Sequence, residues 1–506
     1  MKKKISSLEK ISKIVSSLKI KGKKISLCHG VFDLLHPGHI YHFEQAKKKS
    51  DILVVSITSD KKVLKGPGRP YFNQKNRAHS LASIEQIDFV IISDDKSAVN
   101  VIKKIKPHFY VKGSDYKNSN DDITGKIDLE KKEVQKNGGK IVYTTGQVFS
   151  SSKIINKEFF YNDEQINFIK KLKKKYSTQT ILSSVDKVAK NVPFILGETI
   201  IDEYIFCKAI GKSGKESYMV LQEKKSEKYL GGVLSIAQNL SALSKKVNLL
   251  TILGSIGSNK RTIKNELKKN INYKFVEKTG SPTILKKRFI EEVDNTKLLG
   301  IYSINDKENS YKEESLLIRY FKSFLKSTDL IILSDYGDSF FTKKYLKEIY
   351  KNNKFLAINA QVNSFSIGYH TITKYKKADL ILMNETELRH ELRDKISERF
   401  ELIKKLNKMI NCNFIAVTHG KTGATIYSSK SKEIIHVPAF ARQVIDKVGA
   451  GDALFPILST CLKSKIPMDI SLYIASISAA INSESYASKN ILNKIYFKKF
   501  LEHSLK

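Results

Sequence analysis

The stretch LCHGVFDLLHPGHIYHF, residues 27–43, decides how the first part of the chain folds. An apolar run ends at Gly30, a turn follows, and Pro37 suits the first position of a helix. A strand, a turn and a helix in this order are typical of a parallel α/β sheet. His36 and His39 then lie beside the exposed amide groups at the start of the helix, where the helix dipole favours an anion.

The two histidines allow three interpretations. As a phosphate site, Gly38 lets the backbone approach the ligand and the imidazoles donate charge-assisted hydrogen bonds of ~1.5–3 kcal/mol each. A metal site needs more ligands, because His-x-x-His lacks the HExxH pattern and no carboxylate or thiol lies near it at a convincing spacing. Histidines without a role are the default for HPGH alone, so the context of the motif has to decide.

Alternating apolar runs and amphipathic stretches continue along the chain and predict parallel sheets covered on both faces. The runs of the first 150 residues are ISLCHG, ILVVSIT, FVIIS, HFYVKG and KIVYTT. The later runs are PFILGETI, VNLLTILG, LIILSDYG, FLAINAQ, LILMN and FIAVTHG. Between them lie charged helices without a strand. We therefore predict two different α/β domains, 1–156 and 190–506, joined by a helical linker, 157–189.

Composition limits the classes of protein. A chain of 506 residues predicts more than one domain, and no apolar run approaches the roughly 18–20 residues of a membrane helix. The net charge of +38 is spread along the chain without an Arg-rich tract, which disfavours a nucleic-acid-binding protein. The first 24 residues predict an amphipathic helix rather than a signal peptide, and the four cysteines are scattered. We expect a cytoplasmic protein.

A second candidate site is the stretch QVIDKVGAGDALF, residues 443–455. Gly449, Ala450 and Gly451 can expose consecutive amides toward developing negative charge, and Asp452 can take a proton from a hydroxyl group. Glycine-rich helix caps are common, however, and an Asp in the first turn of a helix is usually a partner of the helix dipole. The motif alone therefore leaves both readings open.

The first half resembles the cytidylyltransferase-like nucleotidyltransferase family, and within it the adenylyltransferase domain of bifunctional heptose-phosphate enzymes. The resemblance covers most of residues 24–156 and rests on GVFDLLHPGH, KGPGRP (65–70), NRAHSLASIEQIDFV (76–90), KPHFYVKGSDY (106–116), GG (138–139) and FSSSKII (149–155). It implies a Rossmann-like HxGH domain in which His36 and His39 act on the triphosphate. The other nucleotide- or phosphate-binding residues that it implies are Gly30, Phe32, Lys65, Lys112, Asp115, Ser150, Ser151 and Ser152.

This chemistry needs no nucleophilic side chain. The resemblance implies that a sugar phosphate attacks the α-phosphate of a nucleoside triphosphate. The protein then contributes positioning and neutralisation, together with Mg²⁺. We expect no metal site built from protein ligands alone.

The second half resembles the ribokinase/PfkB sugar-kinase family across about residues 190–490. The matches are LGETIIDEY (196–204), GG (231–232), Asn384-x-x-Glu387, VTHGKTGA (417–424) and the GAGD motif. They imply a ribokinase-like α/β domain with Asp452 as catalytic base, and Asn384 and Glu387 influencing Mg²⁺ and phosphate. The implied nucleotide-site residues are Thr418, Gly420, Gly423, Gly449, Ala450 and Gly451. The implied sugar-site residues are Asp202, Gly231, Gly232, Ser235, Lys286 and Arg288.

Four positions depart from the heptose-kinase pattern: Glu198 replaces an Asp, Ser235 an Asn, Asp338 a Lys and Gly300 an Arg. The order of the domains is also reversed, because in the bifunctional heptose enzymes the kinase domain precedes the transferase domain.

We expect a bifunctional enzyme of nucleotide-sugar biosynthesis that uses Mg²⁺ with ATP, favoured over CTP. It would transfer a nucleotidyl group to a heptose-like sugar 1-phosphate and phosphorylate a sugar or sugar phosphate. The alternative is an active transferase beside a kinase fold that only binds ligand. We expect small-molecule substrates, no nucleic-acid or membrane partner, and a homo-oligomer.

Overall fold

A computed structural model describes the chain as two compact units. The described residues are 4–65, 69–113, 126–145, 161–293, 295–304, 307–337, 339–362, 369–484, 486 and 492–505. The first unit comprises Met1–Asn162 with Ile495–Lys506, and the second comprises Asp163–Lys494. This division differs from the predicted boundaries at two places. Helices within the predicted linker belong to the second unit, and the last helix belongs to the first.

The first unit is built on a five-stranded parallel sheet of order β3-β2-β1-β4-β5. Its strands are β1 (Ile25–Gly30), β2 (Ile52–Thr58), β3 (Phe89–Ser93), β4 (Phe109–Gly113) and β5 (Lys140–Thr144). Each of the five apolar runs predicted as strands in this region forms one of them. Since β1 is the central strand, the turn that follows it lies at the middle of the carboxyl edge of the sheet.

Helices cover both faces of this sheet, as the apolar runs predicted. They are α1 (Leu8–Ile20), α2 (Pro37–Lys48), α3 (Gln74–Ala82), α4 (Val99–Ile105) and α5 (Lys126–Lys136). Neighbouring strand residues point to opposite faces: Val55 packs in a buried cluster with α2 and α3, whereas Val54 packs in another with α1, α4 and α5. The predicted amphipathic helix near the start of the chain is α1, whose Ile11 and Val15 are buried.

The second unit is built on a larger sheet, which we call the main sheet. Its strand order is β9-β8-β6-β12-β13-β14-β15-β16-β17. Its strands are parallel, except that β16 and β17 join it antiparallel. Six of its strands were predicted as apolar runs. The strands of the unit are β6 (Pro193–Lys212), β7 (Met219–Gly232), β8 (Val247–Ile256), β9 (Ile271–Pro282), β10 (Ile284–Glu291), β11 (Lys297–Ser303), β12 (Leu330–Asp335), β13 (Phe355–Ala360), β14 (Lys377–Asn384), β15 (Asn411–Thr418), β16 (Ala424–Ser428) and β17 (Ile434–Val437).

Strand β6 takes part in two layers. Its residues 193–198 pair with β8 and β12 in the main sheet. From Thr199 onward it pairs antiparallel with β7 and parallel with β10, and β11 adds to β10. We call these four segments the side sheet. It was not predicted, and it places Asp202, Lys286 and Arg288 on neighbouring strands.

Eleven further helices complete the described residues of the chain. They are α6 (Asp163–Lys175), α7 (Thr178–Val188), α8 (Val233–Ser241), α9 (Lys260–Glu266), α10 (Tyr311–Leu325), α11 (Lys343–Tyr350), α12 (Glu385–Leu392), α13 (Arg399–Met409), α14 (Ala450–Lys463), α15 (Met468–Ser483) and α16 (Lys494–Ser504). Helices α10 to α13 pack with one face of the main sheet in a large buried cluster. Helix α6 packs in the second unit, where Phe168 contacts Tyr473 with ring centroids 5.8 Å apart. The predicted linker is therefore partly a component of that unit.

Among the described residues, no helix is both long enough and apolar enough to span a membrane.

Candidate active sites

In the first unit, the turn after β1 brings the predicted histidines into contact. His36 caps the start of α2 without a side-chain capping bond, and Pro37 opens the helix. The rings of His36 and His39 are stacked, with centroids 3.8 Å apart and planes 18° from parallel. Phe32 meets His39 edge-on at 5.4 Å. Phe32 has a φ of 47°, a left-handed conformation that costs energy for a bulky residue. The turn is therefore held in an unusual shape beside the histidines.

Both histidines of this turn are neutral near pH 7. Burial, with smaller contributions from the nearby His36 and Lys65, lowers the pKa of His39 to about 3. Burial also lowers the pKa of His36, again with Lys65 contributing. The Nδ1 atom of His39 is buried and makes no hydrogen bond to a described residue. Each neutral ring has one N–H group to donate, and Lys65 adds a positive charge, so the turn can accept an anion.

A later loop and helix α3 support this turn. The Asp33 carboxylate accepts hydrogen bonds from the amides of Tyr71, at 2.8 Å, and Phe72, at 2.9 Å, and Arg69 Nη1 lies 3.6 Å from it. The fully buried Arg77 donates to the Val31 carbonyl at 2.5 Å and to the Thr58 carbonyl at 2.8 Å. Sequence reasoning assigned no role to these residues, although Asp33 and Arg77 lie within the quoted motifs.

Lys112 lies in a buried ion pair that the sequence did not predict. Its Nζ is 3.1 Å from Glu130 Oε2 on α5, and both side chains are almost fully buried. The same carboxylate accepts the Tyr110 hydroxyl at 2.9 Å and the Ala98 amide at 3.0 Å. Burial works to raise the pKa of Glu130, but Lys112 and His29 hold it below its ordinary value. Glu130 therefore neutralises part of the charge that Lys112 would offer a phosphate.

His42 lies on α2 one turn after His39. His42 Nδ1 lies 3.0 Å from the Thr144 hydroxyl, at the end of β5. Burial, helped by Lys112, lowers the pKa of His42 to about 4. One turn further, Gln45 exchanges two hydrogen bonds with the backbone of Thr145, at 2.6 and 3.1 Å. The spacing of three residues from His39 is the sequence signal that could have identified His42.

The predicted Asp115, Ser150, Ser151 and Ser152 lie outside the described residues.

In the second unit, Asp452 is buried in the first turn of α14. Its Oδ1 accepts hydrogen bonds from the Tyr336 hydroxyl at 3.2 Å and from Gln361 Nε2 at 3.1 Å. Burial raises the pKa of Asp452 to about 6; nearby Asp202 adds to the rise, while Tyr336, Lys286 and Gln361 oppose it. Tyr336 and Gln361 follow the ends of β12 and β13, so the carboxyl edge of the main sheet positions this carboxylate.

The predicted sugar-site residues come together on the side sheet. Asp202 lies in register with Lys286 and forms an ion pair with Arg288. Lys286 Nζ lies 5.8 Å from the centre of the Tyr336 ring, next to Asp452. A Cβ atom on Gly231 would be 2.2 Å from Asp202 Oδ2, so only glycine allows this approach. The carboxylate is thus fixed by an ion pair on one side and a bare backbone on the other.

The two remaining predicted sugar-site residues, Gly232 and Ser235, lie at the start of helix α8. Gly232 caps the helix with a φ of 55°, in the left-handed region. Ser235 is buried, and its hydroxyl makes no hydrogen bond to a described residue. Gly300 lies opposite Arg288 in register, so no side chain projects there. Asp338 lies outside the described residues.

The predicted nucleotide-site residues lie at the ends of β14 and β15. Thr418 pairs in register with Asn384, and Gly420 and Gly423 have positive φ values of 61° and 104°. A Cβ on Gly423 would be 2.1 Å from the Val437 carbonyl, so the protein's own packing already requires this glycine.

Asn384 and Glu387 form a capping box that starts α12. Asn384 Oδ1 accepts the Glu387 amide at 2.8 Å, and Glu387 Oε2 accepts the Asn384 amide at 2.8 Å. The other oxygen of Glu387 accepts the Val362 amide at 3.2 Å. Burial raises the pKa of Glu387 to about 7, and the charge of Asp452 adds to the rise. The pair therefore has a structural role and also lies within electrostatic reach of Asp452.

The glycine turn before Asp452 has room for a ligand. Gly449 caps α14 with a φ of 82°, followed by Ala450 as the first helical residue. A Cβ on Gly451 would meet nothing within 4 Å, so packing inside the protein does not require glycine at this position. Open space in front of a helix N-terminus suits a bound phosphate.

The described residues contain no group of three or more His, Cys, Asp or Glu side chains arranged to hold a metal ion. Mg²⁺ that arrives on a nucleotide needs fewer, because phosphates and water complete its shell and one or two carboxylates suffice. Glu387, predicted to influence Mg²⁺, is a carboxylate within electrostatic reach of Asp452, and both of its oxygens already accept backbone amides.

Comparison with known proteins agrees with this architecture. The model of the family "pfkB family carbohydrate kinase" matches residues 191–494, and "Cytidylyltransferase-like" matches residues 27–157. The crystal structure of phosphofructokinase-2 from Escherichia coli in complex with potassium has a TM-score of 0.50 and 12% identity, covering 63% of this chain and 100% of that chain. At this identity the likeness concerns the fold alone.

Curated relatives match the first part of the chain. The bifunctional protein HldE of Aliarcobacter butzleri is 42% identical over 123 residues, which is 24% of this chain and 25% of the relative. HldE of Geotalea uraniireducens is 36% identical over 144 residues, 28% of each chain. The chain thus spans about a quarter of the length of these relatives.

Proposed function

Because the chain belongs to the pfkB family of carbohydrate kinases and carries a cytidylyltransferase-like domain before the kinase domain, we propose that it is a bifunctional enzyme of nucleotide-sugar biosynthesis. The second unit phosphorylates a sugar or sugar phosphate with ATP. The first unit transfers a nucleotidyl group, from ATP in preference to CTP, to a heptose-like sugar 1-phosphate. The partners are small molecules and further copies of the chain, in the cytoplasm, without nucleic acid or membrane.

For the kinase reaction, Asp452 accepts the proton of the sugar hydroxyl as its oxygen attacks the γ-phosphorus, and ADP leaves. Asp202, fixed by Arg288, accepts hydrogen bonds from sugar hydroxyls. The amides of Gly449, Ala450 and Gly451 donate to phosphate oxygens on which negative charge develops. Mg²⁺ on the nucleotide supplies further neutralisation of that charge.

For the nucleotidyl transfer, an oxygen of the sugar phosphate attacks the α-phosphorus, the α–β bond breaks, and pyrophosphate leaves. No side chain of the protein becomes covalently attached. His36 and His39 donate hydrogen bonds to the triphosphate, and Lys65 opposes the charge that builds on its oxygens. The stacked rings are held by Phe32 and by the start of α2, so little reorganisation is needed when the nucleotide binds.

One observation carries the kinase assignment. Asp452 is a buried carboxylate with two hydrogen-bond donors, Tyr336 and Gln361, and a pKa raised to about 6. A domain that only binds ligand gains nothing from a buried carboxylate at the position where a phosphate enters. This favours an active kinase over the ligand-binding alternative.

The proposal is tested by incubating the purified full chain with Mg²⁺, either ATP or CTP, and a panel of sugars and sugar phosphates, and identifying products by mass spectrometry. We expect a phosphorylated sugar, and from a sugar 1-phosphate a nucleotide sugar with pyrophosphate. Nucleotide sugar without phosphorylation of any sugar would support the ligand-binding alternative. No product from either half would overturn the proposal.

A further inference from the structure

Asp446 lies three residues before the glycine cap of α14, and its carboxylate has partners on both oxygens. The side chain is completely buried. Oδ2 accepts the Tyr204 hydroxyl at 2.6 Å. Oδ1 accepts Lys297 Nζ at 2.6 Å and the Val448 amide at 3.0 Å. Burial works to raise the pKa of Asp446, but Lys297 and Tyr204 hold it below its ordinary value, so the carboxylate is ionised at neutral pH.

Two of these partners come from the side sheet. Tyr204 lies on β6, two residues after Asp202 and therefore on the same face of the strand. Its buried ring has the Arg288 guanidinium 5.5 Å from its centre. Lys297 is the first residue of β11. The strands that carry the sugar-site residues thus also contact the segment that leads into the glycine turn.

The same segment is attached on its other side to α15. The amides of Ile445 and Asp446 donate to the Ser483 carbonyl at 2.8 and 3.1 Å. Asn482 Nδ2 donates to the Val448 carbonyl at 3.3 Å. Hydrogen bonds between the main chain of residues 445–448 and α15 therefore fix one side of this segment, and the side chain of Asp446 fixes the other.

We propose that Tyr204 and Lys297 are positioning residues that hold Asp446 and, through it, keep the amides of residues 449–451 directed at the nucleotide phosphates. The inference rests on the proposed kinase function of this unit. Gly449 has a left-handed φ and little conformational preference of its own, so its orientation depends on the residues before it. Loss of either partner leaves a buried carboxylate short of hydrogen bonds, which it can regain only if the segment shifts or water enters.

Two substitutions test the contact, and the side sheet offers a matched control for each. Tyr204→Phe removes the hydroxyl and keeps the ring, and Lys297→Met removes the charge and keeps the stem. Tyr229→Phe is the first control, because its hydroxyl donates to Glu227 on its own strand. Lys287→Met is the second, because Lys287 has the same exposed side-chain fraction as Lys297, 40%, and its Nζ lies 4.0 Å from Glu203 Oε2.

The first measurement is amide hydrogen exchange of residues 445–452 in the ligand-free full chain. We expect exchange about tenfold faster in Tyr204→Phe and Lys297→Met, since each loses one hydrogen bond to a charged group, and no change in the controls. Exchange equal to that of the control variants would overturn the inference.

The second measurement is the affinity for Mg²⁺ and AMP-PNP, a hydrolysis-resistant ATP analogue. We expect affinity about five- to tenfold lower in the two variants and recovery in Lys297→Arg, which restores the charge. Unchanged affinity would also contradict the inference, and a Lys297→Arg variant as weak as Lys297→Met would indicate a packing role only. If the unsubstituted chain fails to bind AMP-PNP, the proposed kinase function is wrong, while the exchange experiment still decides whether the contact holds the turn.

Discussion

Asp452 has the two properties that a general base needs, a fixed position and a pKa near the pH at which it works. Because burial raises its pKa to about 6, the carboxylate is protonated below that pH and cannot accept a proton. We expect kcat/KM for sugar phosphorylation, which reports the pKa of the ligand-free enzyme, to rise with pH, to reach half its maximum near pH 6, and then to level off. Asp452→Asn should lower kcat by ~10²–10⁴ and leave AMP-PNP affinity unchanged.

Steady-state kinetics between about pH 5 and 8, with AMP-PNP titrations of both proteins, measure these quantities. A near-normal rate in the Asn variant would make Asp452 a helix-capping charge without a catalytic role.

Because Gly231 has no side chain, the Asp202 carboxylate can lie directly against its backbone. In Gly231→Ala the added methyl group overlaps Asp202 Oδ2, so the carboxylate has to leave the position in which it pairs with Arg288. We expect KM for the sugar to rise by at least about tenfold, the loss of a charge-assisted hydrogen bond, with KM for ATP unchanged. Gly214→Ala is the control, because an added Cβ there meets nothing within 4 Å. Equal KM values for the two variants would argue against a sugar role for Asp202.

Residues of the two sites differ in how far the sequence could predict them. Short local motifs predicted His36, His39 and Asp452 as candidates, because each lies at a helix start with a recognisable turn. Tyr336 and Gln361 were not predicted, since their roles depend on strand ends that meet Asp452 only in the folded sheet. Glu130 was missed for the same reason, as nothing in α5 marks one glutamate as the partner of a buried lysine.

At the scale of elements, the carboxyl edge of the first sheet and helix α2 collect half-buried neutral histidines. Burial lowers the pKa of His29 to about 4, of His39 to about 3 and of His42 to about 4. In the unfolded chain these groups take up protons as the pH falls below about 6.5, whereas in the folded unit they do not until the pH is much lower. Their contribution to stability is therefore complete above pH 6.5 and is lost as the pH falls toward 4.

We expect the unfolding free energy of the full chain to fall with pH over this window, by up to about 1.4 kcal/mol per pH unit for each such histidine. Urea denaturation followed by circular dichroism measures it. His42→Gln should reduce the slope by up to one histidine's share, whereas His79→Gln, at an exposed position, should leave it unchanged. Equal slopes in the two variants would show that folding does not lower the pKa of His42.

Strands of the main sheets were predictable because buried parallel strands are nearly continuous apolar runs. The side sheet was not. Strand β7 is mostly exposed and rich in Lys and Glu, and β11 is exposed along nearly its whole length. The sequence predicted a strand only at PFILGETI, residues 193–200, whereas β6 continues to Lys212, and its passage from one layer to the other is set by which strands lie beside it.

For the whole molecule, the sequence predicted two α/β domains in one chain, and the structure adds that the last helix belongs to the first unit. A fragment of residues 1–162 therefore lacks part of its unit. We expect its melting temperature to be lower than that of the same fragment joined through a flexible linker to residues 495–506. Thermal denaturation followed by circular dichroism compares the two. Equal melting temperatures would mean that α16 contributes nothing to the first unit.

The central claim is that one chain carries two independent transfer reactions, one in each unit. The direct measurement is a product assay by mass spectrometry on the full chain and on two single variants, His39→Ala and Asp452→Asn, with the same substrates. We predict that His39→Ala lowers nucleotide-sugar formation by at least about tenfold and leaves sugar phosphorylation unchanged, and that Asp452→Asn has the opposite pattern. Equal loss of both products in either variant would contradict the claim, because it would place both reactions in one shared site.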